Sequence, residues 1–213
     1  MPRTNSGTKR KYYMRYLAHY TKRNNALIAL GTLFVLGVIL GVLVYNNAGD
    51  ETLLLVERMQ NDTIAARLEG GLGDNFAAAL SSAAVFLGIL FISGFCAIAQ
   101  PAIVLMPFIR GLGFGIMSAS LYMHHGTSAL AFVGVLILPG MLISTMALLI
   151  CAVQALKLSG TFFSSVLCKP KNEESYSVKL YLMRFILCAG ICVLAAFLEA
   201  VLYITFANSL VLG

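Results

Sequence analysis

The sequence predicts an all-α, polytopic integral membrane protein of about five transmembrane helices, the third and fourth broken by Pro and Gly. Three observations predict it. Hydrophobic residues make up 59% of the 213 and charged residues only 11%, with a mean hydropathy of +0.86. An ordinary soluble domain is about one-quarter charged, and no soluble core of this size could bury so much apolar surface. The apolar residues also fall into runs long enough to cross a bilayer, and the basic residues gather on one side of the topology those runs define.

The chain opens with a basic arm, residues 1–25. It carries Arg3, Lys9, Arg10, Lys11, Arg15, Lys22 and Arg23 and no acid. Such an arm could bind nucleic acid. Beside a membrane span it reads instead as a cytoplasmic topology signal that touches anionic lipid, so membrane lipid and not nucleic acid is the expected partner. Residues 26–213 then form a single transmembrane helical domain. Its first span, 26–45, is ALIALGTLFVLGVILGVLVY, twenty residues without a charge, about 30 Å of helix. A cleaved signal peptide would have a shorter apolar region and a small-x-small site after it, whereas YNNAGDE follows here.

Residues 46–75 change character, with six acids against Arg58 and Arg67. Asp50 is an N-cap candidate and Gly70–Gly71 a stop. Between them Leu53, Val56, Met59, Ile64 and Leu68 are read as the apolar stripe of a short helix lying on the membrane face or against a partner. A second span covers 76–98. A third, 101–123, is closed by His124-His125-Gly126. A fourth, 128–156, is interrupted by Pro139-Gly140. A slightly basic segment, 157–180, leads to a fifth span, 181–207. With the arm inside, five spans put the acidic 46–75 segment and the C-terminus outside, where only two of the fifteen Lys and Arg residues lie. That obeys the positive-inside rule.

The third span holds the strangest stretch, AQPAIVLMPFIRGLGFG, residues 99–115. A charge in hydrocarbon costs about 2.5–3.5 kcal/mol on insertion scales, so Arg110 should not face lipid at mid-depth. It could snorkel, pair with a buried carboxylate, or cap a carbonyl freed by Pro107. Together with Pro101, Gly111, Gly113 and Gly115 it marks a broken, buried segment that another helix approaches closely. The glycines would suit a homo-oligomer and suit packing within one chain equally. The acid in a span is Glu199, near the outer end of the fifth; a direct Arg110–Glu199 pair is not expected, and His124 or His125 is better placed to meet Glu199. The candidate structural or partner-contact residues are therefore Pro101, Pro107, Arg110, Gly111, Gly115, His124, Pro139 and Glu199.

No catalytic set emerges. HHG lacks the HExxH spacing of a zinc protease, and GLGFG is followed by no GK[ST]. The five cysteines lack CxxC spacing, and the pair Cys188/Cys192 has no His or carboxylate at ligand spacing. No catalytic, cofactor-binding or metal-ligating residue is expected, and five spans do not divide into the paired halves of many secondary transporters.

The order of features resembles one family over nearly the whole chain, the stage II sporulation protein M family of endospore-forming bacteria. The matching elements are the basic N-terminus, LFVLGVILGVLVYN, FISGFCAIAQPAIVLMPFIRGLGFG, FVGVLILPGMLI, the basic loop, YLMRFILC and FLEAVLY. The resemblance implies a polar residue just after the fourth-span proline, where this chain has Gly140 and Met141. It also implies a non-enzymatic membrane scaffold for forespore engulfment, in the septal or mother-cell membrane. That scaffold recruits two peptidoglycan-degrading partners, stage II sporulation proteins P and D. Residues 50–69, His124 and Glu199 are then where contacts are expected. The alternative is a small permease or channel-like subunit using the broken third and fourth spans.

Overall fold

A computed structural model describes residues 6–167 and 178–206 as helices and short connections. Helix α1 runs Ser6–Asn46, α2 Asp50–Glu69, α3 Leu72–Phe95, α4 Gln100–Phe132, α5 Leu138–Leu167 and α6 Val178–Phe206, with a π-turn Val133–Ile137 leading into α5. Among the described residues, five helices are long and apolar enough to cross a membrane: Asn25–Asn46, Leu72–Phe95, Gln100–His124, Val133–Phe163 and Val178–Phe206. The five expected spans are there. The basic arm is not a separate element from residue 6 onward, since α1 continues from it into the first span.

The fourth span is the hub. About 56% of its most apolar stretch is buried, more than in any other span, and α3, α4 and α6 pack around it. Small residues make this closeness feasible: Cys151, Ala152 and Ala155 on α5 and Cys188 and Cys192 on α6 are almost wholly enclosed. Helices in lipid gain no hydrophobic drive from touching each other, so close van der Waals packing must hold them. At one end of the bundle Tyr181 stacks among Phe91, Phe95 and Phe185 and donates its hydroxyl to the Phe91 carbonyl at 3.2 Å. Gly94 leaves the room for that ring. Ser159 donates to the carbonyl of Cys96 at 2.7 Å, tying α5 to the α3–α4 turn.

Helices α1 and α4 form a second close pair. Gly37 lies on the Phe108 carbonyl, Gly41 on Leu112, Gly111 on Phe34 and Gly115 on Val38; a Cβ at any of the four would collide with backbone. Two Gly-x-x-x-Gly pairs thus cross face to face. Gly111 and Gly115 do admit another helix, as their pattern predicted, and it is α1 of the same chain.

Several boundaries and contacts differ from the sequence reading. The third span is not broken at Pro107: α4 runs through it. Pro101 sits in the first helical turn, where an amide is unneeded, and a proline inside a membrane helix removes one bond without ending it. The break falls later, at Gly126, with φ 58° and ψ −133°, a backbone that glycine tolerates. The fourth span consequently begins at Val133, not 128, and extends to Phe163. Pro139 lies in the first turn of α5, and the π-turn precedes it. An extra residue in that turn accommodates the amide that Pro139 lacks. The second span starts at Leu72, with Asn75 buried and donating to the Arg67 and Gly70 carbonyls at the end of α2. Gly49, not Asp50, is the N-cap of α2.

Candidate functional site: a charged cavity beneath α2

Helix α2 lies against the ends of α4 and α6. Its inward face is Leu53, Val56, Glu57, Gln60, Ile64 and Arg67, a 3.6-residue stripe. Ile64 is the residue it buries, against Leu121, Leu136, Ile137 and Tyr203. Leu53, Val56 and Ile64 follow the expected stripe. Met59 follows it too, lining the cavity beneath α2 one turn from Val56 although it is 71% exposed; Leu68 does not, and is 42% exposed, because the helical repeat carries it off that face.

Between α2 and the spans lies a cavity of about 570 Å³, open on one side. Apolar side chains supply most of its wall, among them Phe86, Phe114, Met117, Ile137 and Met141; Gln60, Thr63, Ser82 and Ser144 add polar points. Its charged groups are Arg67, Arg110 and Glu199.

At the α2 side, Arg67 Nη1 donates to Glu199 Oε1 at 2.5 Å, and the Arg67 guanidinium lies 5.1 Å from the centre of the Tyr203 ring. Burial works against the Arg67 charge. The hydrogen bond and field of Glu199, with Tyr203 adding to them, outweigh it and hold the guanidinium above its usual range. Glu199 in turn occupies space that Gly140 leaves: a Cβ at Gly140 would stand 2.9 Å from the Glu199 Cβ. The position after the fourth-span proline, where the resemblance implies a polar group, is thus filled from α6.

Deeper in, Arg110 lies about 15 Å along the third span from Gln100. Its Nη2 donates to Ser144 Oγ at 2.7 Å and its Nε to Thr145 Oγ1 at 3.2 Å. It stacks 5.2 Å from the Phe86 ring centre. The three routes expected for Arg110 all give way to these hydroxyls of α5. It caps no carbonyl freed by Pro107, has no carboxylate partner among the described residues, and stays at mid-span.

His124 does not meet Glu199. It lies by Tyr45, hydroxyl to Nε2 at 3.4 Å, and by Glu57, Nδ1 to Oε1 at 3.6 Å, so it joins α1, α2 and α4. Arg67 reached Glu199 first because α2 folds back over the bundle. The His125 side chain lies outside the described residues. Pro101, Pro107 and Pro139 shape helices and do not line the cavity. Among the described residues no three or more His, Cys, Asp or Glu side chains are placed to hold a metal ion.

Sequence reasoning missed Arg67, Ser144, Thr145 and Phe86. Adjacent Ser and Thr in the middle of an apolar span were a usable signal. So was Gly37-x-x-x-Gly41, which foretold the α1 crossing.

Residues 29–205 match the family described as stage II sporulation protein M. The chain belongs to that family. No curated protein and no solved structure matches it. The stage II sporulation protein M match begins in α1 and ends in α6, so it takes in all five spans, α2 and every charged group of the cavity. It makes the chain a sporulation-related, multi-pass membrane protein.

Proposed function

We propose that the chain is a non-enzymatic scaffold of the engulfing membrane, holding peptidoglycan-degrading partners at the sporulation septum. Family membership supports the setting. Stage II sporulation proteins P and D are the partners the resemblance implies. The observation that carries the reading is α2 itself. It is held to the bundle by Ile64, the Arg67–Glu199 pair and Glu57–His124, while Leu54, Leu55 and Leu68 stay exposed among its acids. By the positive-inside rule this face lies outside the cytoplasmic membrane, toward the cell wall where such partners act. An exposed apolar strip rimmed by charge is the surface a partner uses.

The test is membrane-dye microscopy of a deletion strain after sporulation is induced, with both hydrolases fluorescently tagged. Septa that form but do not migrate, with the hydrolases dispersed, are the expected result. Normal engulfment with septal hydrolases removes the scaffold reading. A small permease is the second reading, favoured by Arg110 at the base of an open cavity. A solute that protects cavity residues from labelling would bring it forward.

A further inference from the structure

We infer that the cavity beneath α2 binds an anionic amphiphile, its carboxylate or phosphate held by Arg110 and its acyl chain laid along the apolar wall. The inference rests on the cavity's charge, shape and depth and does not depend on the scaffold reading.

The charges do not cancel. Glu199 is bonded to Arg67 and its field also reaches Arg110, but one carboxylate faces two guanidiniums, so the lining carries one surplus cation, and Arg110 is the one without a bonded carboxylate. Its contacts are neutral: two hydroxyls and a phenyl ring. A hydroxyl satisfies an N–H but does not neutralise a guanidinium, and a part-buried cation at mid-span gains from an anion brought against it. Arg110 also has unused donors. A guanidinium carries five N–H groups, and Nη1 has no hydrogen-bond partner among the described residues. An oxyanion meets both needs, and the guanidinium fork suits carboxylate and phosphate alike.

The space beside Arg110 is kept open. Gly113 is exposed onto the cavity, one helical face away from the glycines that grip α1, and a Cβ built there would touch nothing within 4 Å. The volume of about 570 Å³ falls within the roughly 300–1,000 Å³ of ligand pockets. The wall of Phe86, Ile109, Phe114, Met117, Ile137 and Met141 suits a hydrocarbon chain. Arg110 lies too deep for the headgroup of a lipid resting in the bilayer, so the ligand enters the cavity.

The test uses the full-length chain purified in a neutral maltoside detergent, with equilibrium binding of radiolabelled oleate and oleoyl lysophosphatidate. Oleyl alcohol is the uncharged control and inorganic phosphate the chainless one. At least one of the two amphiphiles should bind at one per chain, at least ten-fold tighter than either control. The tighter of the two identifies the source as a free fatty acid or a lipid phosphate. Arg110→Gln should weaken binding ten-fold or more, with Arg110→Lys recovering part of it. Gly113→Leu, which fills the cavity one helical turn from Arg110 and leaves the guanidinium in place, should also abolish binding, and its folding is checked by thermal unfolding. Three results overturn the inference: no binding of either amphiphile, oleyl alcohol binding as well as oleate, or binding unchanged in either Arg110→Gln or Gly113→Leu. Binding of inorganic phosphate alone would reduce the site to a simple anion site and also overturn it.

Discussion

Arg67 and Glu199 are 132 residues apart in the chain and meet Nη1 to Oε1 at 2.5 Å, where α2 closes over α6. The side chains are only 19% and 17% exposed, so water screens the pair weakly and each charge depends on the other. Removing either partner of a buried pair costs more than removing both, because one charge is left behind.

Arg67→Gln and Glu199→Gln should therefore each lower stability, by about 1–3 kcal/mol, and the double variant should lose less than the sum. Thermal unfolding of the purified variants in detergent measures the cycle. Strictly additive losses would mean that the two residues do not depend on one another.

The glycines of α4 should separate by face. Gly111→Val and Gly115→Val drive a side chain into the Phe34 and Val38 carbonyls and should sharply reduce the folded fraction. Gly113→Ala meets nothing within 4 Å and should be neutral or stabilising by up to about 1 kcal/mol, the helix-propensity difference. Detergent-extracted yield and unfolding temperature report both.

Ser144→Ala should cost about 1.5–3 kcal/mol, the worth of a hydrogen bond to a charged group, and Thr145→Val less, since its contact with Arg110 is the longer one, at 3.2 Å against 2.7 Å. Equal small losses from both would show that Arg110 is satisfied elsewhere.

Topology has a chemical test in the cysteines. Cys151, Cys188 and Cys192 are buried and Cys96 is exposed. In a Cys168→Ser background, a membrane-impermeant maleimide should label Cys96 only after the cell is permeabilised. A cysteine placed at Asp62 on α2 should label in intact protoplasts. The reverse pattern would turn the protein over in the membrane.

Periodicity and charge made the spans legible, and the small residues of α4 foretold a close helix contact. What the sequence hid was which elements meet. Arg110 looked like a residue searching for a carboxylate, yet it settled on Ser144 and Thr145, two neutral groups that carry no sign in a charge count. Glu199 looked nearest to His124 because both lie at one end of their spans. The 50–69 segment was read as surface, so Arg67 was not considered as a partner. Pro107 misled for a different reason: helices in lipid keep their remaining backbone bonds, since no water is there to take them.

The crossing of Gly37 and Gly41 with Gly111 and Gly115 also sets an order of events during synthesis. The first span leaves the ribosome roughly 75 residues before its partner, about 4–15 s at ordinary elongation rates. For that interval α1 stands alone in lipid with its glycine face open, while α3 is inserted without being its main neighbour. Joining α1 to α4 is then a late docking step. A first span of twenty uncharged residues, able to persist unaccompanied, is what such a delay requires.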